Sequence, residues 1–182
     1  MKICVVPDTQ VKPGVPLDHL LYAGKYIASK KPDVVVMIGD WWDMESLCSY
    51  DKGKKSFEGR SYKKDVESGN LAMDLFLQPI KAECNRLKVN KQKQWKPRLV
   101  FTMGNHEQRI ERAIEYDAIL EDTIGYQDLN REPAPREVTL ENAAPTRQAR
   151  DVAARARVLR PAANTLLFQR LRQRCRAALP QH

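Results

Sequence analysis

The stretch Asp33-Val34-Val35-Val36-Met37-Ile38-Gly39-Asp40-Trp41-Trp42-Asp43 decides how this chain folds. After Asp33 the rest of the stretch 33–38 is apolar without alternation, which predicts a strand of a parallel sheet covered on both faces. Gly39-Asp40 then places a turn and a carboxylate at its C-terminal end. Immediately upstream, Pro32 stops a predicted helix over residues 17–31. Its apolar positions 17, 20, 21, 23, 27 and 28 fall on one side, and Lys30 and Lys31 suit the helix C-terminus. Further upstream, Pro13, Gly14 and Pro16 mark a loop over residues 9–16. Residues 2–7 form a short β-branched run, a second buried strand, that stops at Asp8.

Downstream, residues 51–64 are polar, basic and glycine-containing, and read as a long exposed loop. Residues 66–89 carry Leu71, Leu75, Phe76, Ile80, Cys84 and Leu87 at helical spacing, with Pro79 expected to kink or divide the helix. Residues 90–97 form another basic connection. Residues 98–102 (RLVFT) are a third strand, followed at once by Gly104-Asn105-His106-Glu107 and a helix over about 107–121. Strand, helix, strand, long helix, strand, helix predicts a parallel α/β sheet. Three polar clusters then fall at the C-terminal ends of successive strands, the edge where such sheets bind ligands: Asp8/Gln10, Asp40/Asp43 and Asn105/His106.

These clusters read Pro7-Asp8-Thr9-Gln10, Gly39-Asp40-Trp41-Trp42-Asp43 and Gly104-Asn105-His106-Glu107. Taken singly, Asp8, Asp40 and Asn105 read equally well as turn or cap residues. Taken together and in this order, they resemble the calcineurin-like metallophosphoesterase family, and its phage-type members most. The resemblance covers residues 1 to about 130. It implies a fold that is the first, parallel half of an α/β sandwich. It implies divalent-metal-dependent hydrolysis of a phosphate ester, with phosphodiester or nucleic-acid substrates ahead of phosphoprotein. Two divalent ions (Mn, Mg, Fe or Zn) would be the cofactors. Phosphoester hydrolysis needs an activated water and neutralised phosphoryl oxygens, which two cations about 3.5–4 Å apart can provide. By resemblance Asp40 bridges the metals, Asp8 and Gln10 lie at the first, and Asn105 ligates the second. A bridging hydroxide would attack phosphorus, with His106 at the leaving group as general acid or phosphate contact. Asp43 would orient His106. Glu107 reads as structural, a cap for the following helix. Trp41 and Trp42 read as core or lid residues. Arg109 and Arg112 are placed either to reach a phosphate or simply to be solvated.

The chain departs from the family pattern in two places. The first motif ends in Gln10 where His is usual, which weakens the first metal site. The family also draws ligands from downstream histidines, including a Gly-His-x-His motif. This chain has three histidines, His19, His106 and His182, and none fits those positions. At most half of a dinuclear site is encoded, so metal should bind weakly.

Composition divides at the same place. The chain has 182 residues, 42% hydrophobic and 30% charged, which excludes full disorder. No stretch approaches the roughly 18 apolar residues of a membrane helix, and the run at residues 3–7 is too short for a signal-peptide core. Cys4, Cys48, Cys84 and Cys175 are widely spaced, as expected of buried or free thiols in a reducing, cytoplasmic setting. The net charge of +8 is uneven: residues 1–130 carry +1, and residues 131–182, with 11 Arg and no Lys, carry +7. That second segment has no Gly, Tyr or Trp, 11 Ala and 5 Pro. Residues 147–160 and 162–179 suit Arg/Ala helices. The break is what a shifted reading frame produces, and the nucleotide sequence around codon 130 tests that. The competing reading is a basic arm that binds nucleic acid through phosphates. The sequence therefore predicts a domain over 1–130 and a helical or disordered basic tail over 131–182. The expected partners are a phosphate-ester substrate and nucleic acid, with no membrane partner. The alternative function is a catalytically inactive remnant or a basic nucleic-acid-binding protein.

Overall fold

A computed structural model describes residues 1–130; the expectations for residues 131–182 lie outside the described residues. Three strands, β1 (Ile3–Val6), β2 (Val34–Met37) and β3 (Arg98–Phe101), form one parallel sheet in the order β1-β2-β3. Val5 pairs with Val36, and Val36 in turn with Val100. The connections are α1 (Asp18–Lys30) and α2 (Tyr62–Val89), and α3 (Arg109–Tyr116) follows β3. For strands in this order, the right-handed rule for parallel crossovers, applied twice in the same direction, predicts both helices on one face of the sheet. The extensive packing of α1 on α2 agrees with this placement.

That face makes the core. Val6, Val35, Met37, Leu99 and Phe101 cluster with Leu20 and Ile27 of α1 and with Met73, Phe76, Leu77 and Ile80 of α2. The opposite face, with Val34, Val36 and Val100, stays half-buried, and Ile3 is 43% exposed. The expectation of a strand covered on both faces is therefore corrected among the described residues. An unbroken apolar run reports that a strand can be covered twice, and both helices lie on one side.

Helix boundaries follow local chemistry. Lys31 adopts a left-handed φ of 49° at the end of α1 and its N–H bonds the Ile27 carbonyl, with Pro32 next. α2 runs unbroken for 28 residues through Pro79, so the expected division there does not occur. Its buried residues Val66, Gly69, Met73, Phe76, Leu77, Ile80 and Leu87 follow a helical apolar stripe. That continuous stripe outweighs the one hydrogen bond that proline removes. The helix also starts earlier than the apolar pattern indicates, at Tyr62. The connection before it contains three short 3-10 turns, Glu45–Leu47, Ser49–Asp51 and Lys55–Phe57. α3 is shorter than expected, because Asp117 turns the chain extended and its side chain caps a new 3-10 turn at Ala118–Leu120. The chain then returns across α2. The Tyr62 hydroxyl donates to Asp128 at 2.7 Å and the Asn70 amide to the Asp128 carbonyl at 2.9 Å, while Leu129 is buried. No helix among the described residues is long and apolar enough to cross a membrane.

Candidate active site

The loops after β1, β2 and β3 are joined by backbone hydrogen bonds before any side chain acts. Beyond β1 the chain runs beside the chain beyond β2. Gln10 N–H donates to the Asp40 carbonyl at 2.8 Å, Val11 N–H to the Trp41 carbonyl at 2.7 Å, and Asp43 N–H to the Val11 carbonyl at 2.8 Å. The loop after β3 then closes on the same point. Gly39 has φ +90°, and a Cβ there would sit 2.6 Å from the Gly104 nitrogen. A Cβ on Gly104 would sit 2.2 Å from Asp40 Oδ1. Both glycines are thus required by close approach of two backbones.

Asp40 lies at this crossing. Its φ is +50°, and its Oδ1 accepts the His106 N–H at 2.9 Å. Gln10 (φ 45°) and Met44 (φ 50°) are also left-handed, so three of the six non-glycine residues with positive φ among the described residues line this one region. Such conformations cost on the order of 1–3 kcal/mol each and persist where the surroundings fix them. The buried Met44 side chain and the Gln10–Asp40 bond do so here.

His106 is the best-anchored of the expected residues. Its Nδ1 lies 2.9 Å from Asp43 Oδ1 and 2.9 Å from the Asp43 carbonyl. Its Nε2 lies 3.3 Å from Arg109 Nη2. A guanidinium only donates, and both oxygens facing Nδ1 only accept. The partners therefore assign the proton to Nδ1 and leave a lone pair on Nε2. Arg109 is held in turn by the Asp43 carbonyl at 2.7 Å and the Met44 carbonyl at 3.3 Å. The Arg112 guanidinium folds onto the Asn105 carbonyl, and Lys12 Nζ lies 2.8 Å from Glu45 and 3.8 Å from Asp43. Glu45 holds the Lys12 ammonium above its usual range. Two cations, Lys12 and Arg109, thus lie against the Asp43–His106 pair.

Asp8, Gln10 and Asn105 are exposed, while Asp40, Asp43 and His106 are half-buried. Strand order puts Asp8, Asp40 and Asn105 on three neighbouring strand ends, but no three His, Cys, Asp or Glu side chains converge on one point among the described residues. The donors on offer are the carboxylates of Asp8 and Asp40 and the amide carbonyls of Gln10 and Asn105. This all-oxygen set fits a hard cation such as Mg²⁺ or Mn²⁺ better than Zn²⁺, and leaves several positions for water or substrate.

The sequence places Glu107 as a cap for the following helix. Instead its buried carboxylate accepts the N–H groups of Asp40 (2.9 Å), Trp41 (2.6 Å), Trp42 (3.1 Å) and Gly104 (2.8 Å). Its acceptors are used up by the neighbouring loops, so none is left for α3. Burial raises this carboxyl above its ordinary range, opposed by the four donors. Trp41 and Trp42 are core residues, 1% and 0% exposed. Trp41 Nε1 donates to the Gly69 carbonyl at 3.0 Å, and a Cβ on Gly69 would sit 1.8 Å from the Trp42 ring, so the two rings seat the Asp40 loop on α2. Lys12 escapes a reading of the sequence because nothing local distinguishes it from other loop lysines.

No protein-family model, curated protein or solved structure matches this chain.

Proposed function

We propose that residues 1–130 form the first half of a calcineurin-like metallophosphoesterase unit, and that the chain hydrolyses a phosphate ester with the help of divalent cations. Phosphodiesters and nucleic acids come ahead of phosphoproteins as substrates, as the family resemblance implies, and Lys12 and Arg109 beside Asp43 offer positive charge to a phosphate. The observation that carries the reading is the joining of three strand-end loops at Asp40, with His106 bonded to both Asp40 and Asp43. Asp8, Gln10, Asp40 and Asn105 would hold the cations, with Asp40 shared. Asp40 itself is held in place by the His106 N–H bond to its Oδ1. When bound, the cations supply charge neutralisation on the phosphoryl oxygens and a nucleophilic water at neutral pH.

The chain's own residues do the rest. Asp43 fixes the imidazole ring and keeps the proton on Nδ1. Nε2 is then an acceptor in the resting site, occupied by Arg109. For His106 to protonate a leaving oxygen, Nε2 must first take up a proton, which turns its contact with Arg109 from attraction to repulsion. The guanidinium, still held by the Asp43 and Met44 carbonyls, then has its Nη2 donors free for a phosphoryl oxygen. Lys12 and Arg112 add positive potential at the rim.

A second reading, a non-catalytic remnant or a basic nucleic-acid-binding protein, is supported by one observation: among the described residues, only Asp8 and Asp40 offer acidic cation donors at the strand ends outside the Asp43–His106 pair. Hydrolysis of a chromogenic phosphodiester with Mn²⁺ or Mg²⁺ separates the two. The enzyme reading expects turnover in the wild type that Asp40→Asn and His106→Ala each reduce by roughly a hundredfold or more. Absence of wild-type turnover with every divalent metal tried establishes the second reading instead.

A further inference from the structure

We propose that Glu107 is the positioning residue of this site: its one carboxylate sets the separation of the Asp40 loop from the Asn105–His106 loop, and so the cation affinity of the oxygen donors on both. The proposal rests on the metallophosphoesterase reading for the identity of the ligand, and on geometry alone for the positioning. Oε2 accepts from Asp40 in the loop after β2 and from Gly104 in the loop after β3, at 2.9 and 2.8 Å. Oε1 accepts from Trp41 and Trp42 at 2.6 and 3.1 Å. A carboxylate has about four acceptor sites, and all four are used. The reverse bond, from His106 N–H to Asp40 Oδ1, closes the loop pair from the other side. The two loops therefore hold each other through two carboxylates, one from each. Asp40 in its left-handed conformation is the member common to both.

A carboxylate is required by the count of donors. Glutamine has the same shape and volume but replaces one oxygen with an NH₂ group. Whichever way the amide turns, two backbone N–H groups then face a donor. Glu107→Gln thus changes the acceptor chemistry while keeping the packing, and a residue that mattered only by filling the core would tolerate it.

The test uses the full chain and two readouts. Mn²⁺ affinity is measured by titration with detection of free Mn²⁺, for wild type, Glu107→Gln and Leu20→Ala. Leu20 is a buried α1 residue whose truncation lowers thermal stability away from the site. Glu107→Gln should weaken Mn²⁺ binding tenfold or more, while Leu20→Ala, with an equal or larger loss of Tm, stays within twofold of wild type. Equal affinity in Glu107→Gln and wild type overturns the proposal, as does equal weakening by Leu20→Ala. Amide hydrogen exchange on the metal-free chain is the second readout. Protection at Asp40, Trp41, Trp42 and Gly104 should fall at least tenfold in Glu107→Gln, with the β2 amides unchanged. Unchanged protection at those four amides refutes the positioning role whatever the metal result. A wild type that binds no Mn²⁺ refutes the metal reading, and the exchange data then decide the positioning role by themselves. Glu107→Asp, which keeps both acceptors one methylene short, carries the same two readouts if Glu107→Gln does not fold.

Discussion

At the scale of single residues, the site is organised by who can donate and who can accept. His106 is fixed between an acceptor side, Asp43, and a donor side, Arg109. Removing the guanidinium leaves Nε2, the Asp43 carbonyl and the Met44 carbonyl without that donor. A hydrogen bond involving a charged group contributes about 2 kcal/mol, or roughly a thirtyfold effect on kcat/KM. Arg109→Ala should show a loss of that order in diester hydrolysis. Arg109→Lys should recover only part of it, because one ammonium cannot reach Nε2 and two carbonyls in the same plane. Arg112→Ala, at an exposed side chain folded onto its own helix start, should lose less than threefold. Steady-state kinetics on the three variants checks this, and equal losses at Arg109 and Arg112 would point to general electrostatics instead. The partners of Arg109 are not legible in the sequence, where an arginine three positions after His106 looks like any solvated helix residue. Asp43 and His106 are singled out in the sequence by the motifs that carry the family resemblance, Gly39-Asp40-Trp41-Trp42-Asp43 and Gly104-Asn105-His106-Glu107; alone, His106 reads as an ordinary loop histidine. The opposite holds for Glu107: its letter is visible, but three of its four partners come from a segment more than sixty residues away.

At the scale of elements, the parallel order of strands and helices is legible because it rests on apolar period and on punctuation by Pro and Gly. Helix ends are less so. The length of α2 depends on a buried stripe that continues past Pro79, and the shortness of α3 on Asp117 capping the next turn. The two long helices are also tied by charge. Glu83 accepts from Arg86 within α2 at 2.7 Å and lies 2.8 Å from Lys31 at the end of α1. Those partners, Arg86 first, hold its carboxyl at about 2 against an ordinary 4.5. A carboxyl depressed in the folded state contributes stability that is present above the unfolded value and lost as pH falls through the folded one. The Tm of the wild type should therefore drop more steeply between pH 4.5 and 2 than that of Glu83→Gln. The two should differ most near neutrality and converge near pH 2. Parallel acid limbs for the two proteins would show that the pair does not couple the helices.

At the scale of the whole molecule, the described core and most of the net charge belong to different parts of the chain. The core cluster built on the sheet, α1 and α2 is closed across α2 by Leu129 and by the Asn130 bonds to Asn70 and Asp74. Residues 1–130 carry a net charge of only +1, whereas residues 131–182 carry +7, with eleven arginines. Stability and polyanion affinity should therefore separate on deletion. A chain ending at Asn130 should unfold cooperatively within a few degrees of the full-length Tm, since it retains that cluster. Its affinity for single-stranded nucleic acid should fall, and so should the salt dependence of what remains. Each phosphate that is no longer neutralised takes about 0.7 off the slope of log K against log salt on single strands. If the excess charge does bind phosphates, several such increments disappear together. The residual slope then reports the cations of residues 1–130, among them Lys12, Arg109, the lysines of the loop before α2 and those of the basic connection at 90–97. Calorimetry and a salt series on both chains measure the two effects independently. An unchanged slope after deletion would place the phosphate contacts within residues 1–130, and a further loss of slope in Arg109→Ala would then assign part of them to the strand-end site, whose Arg109 lies against His106.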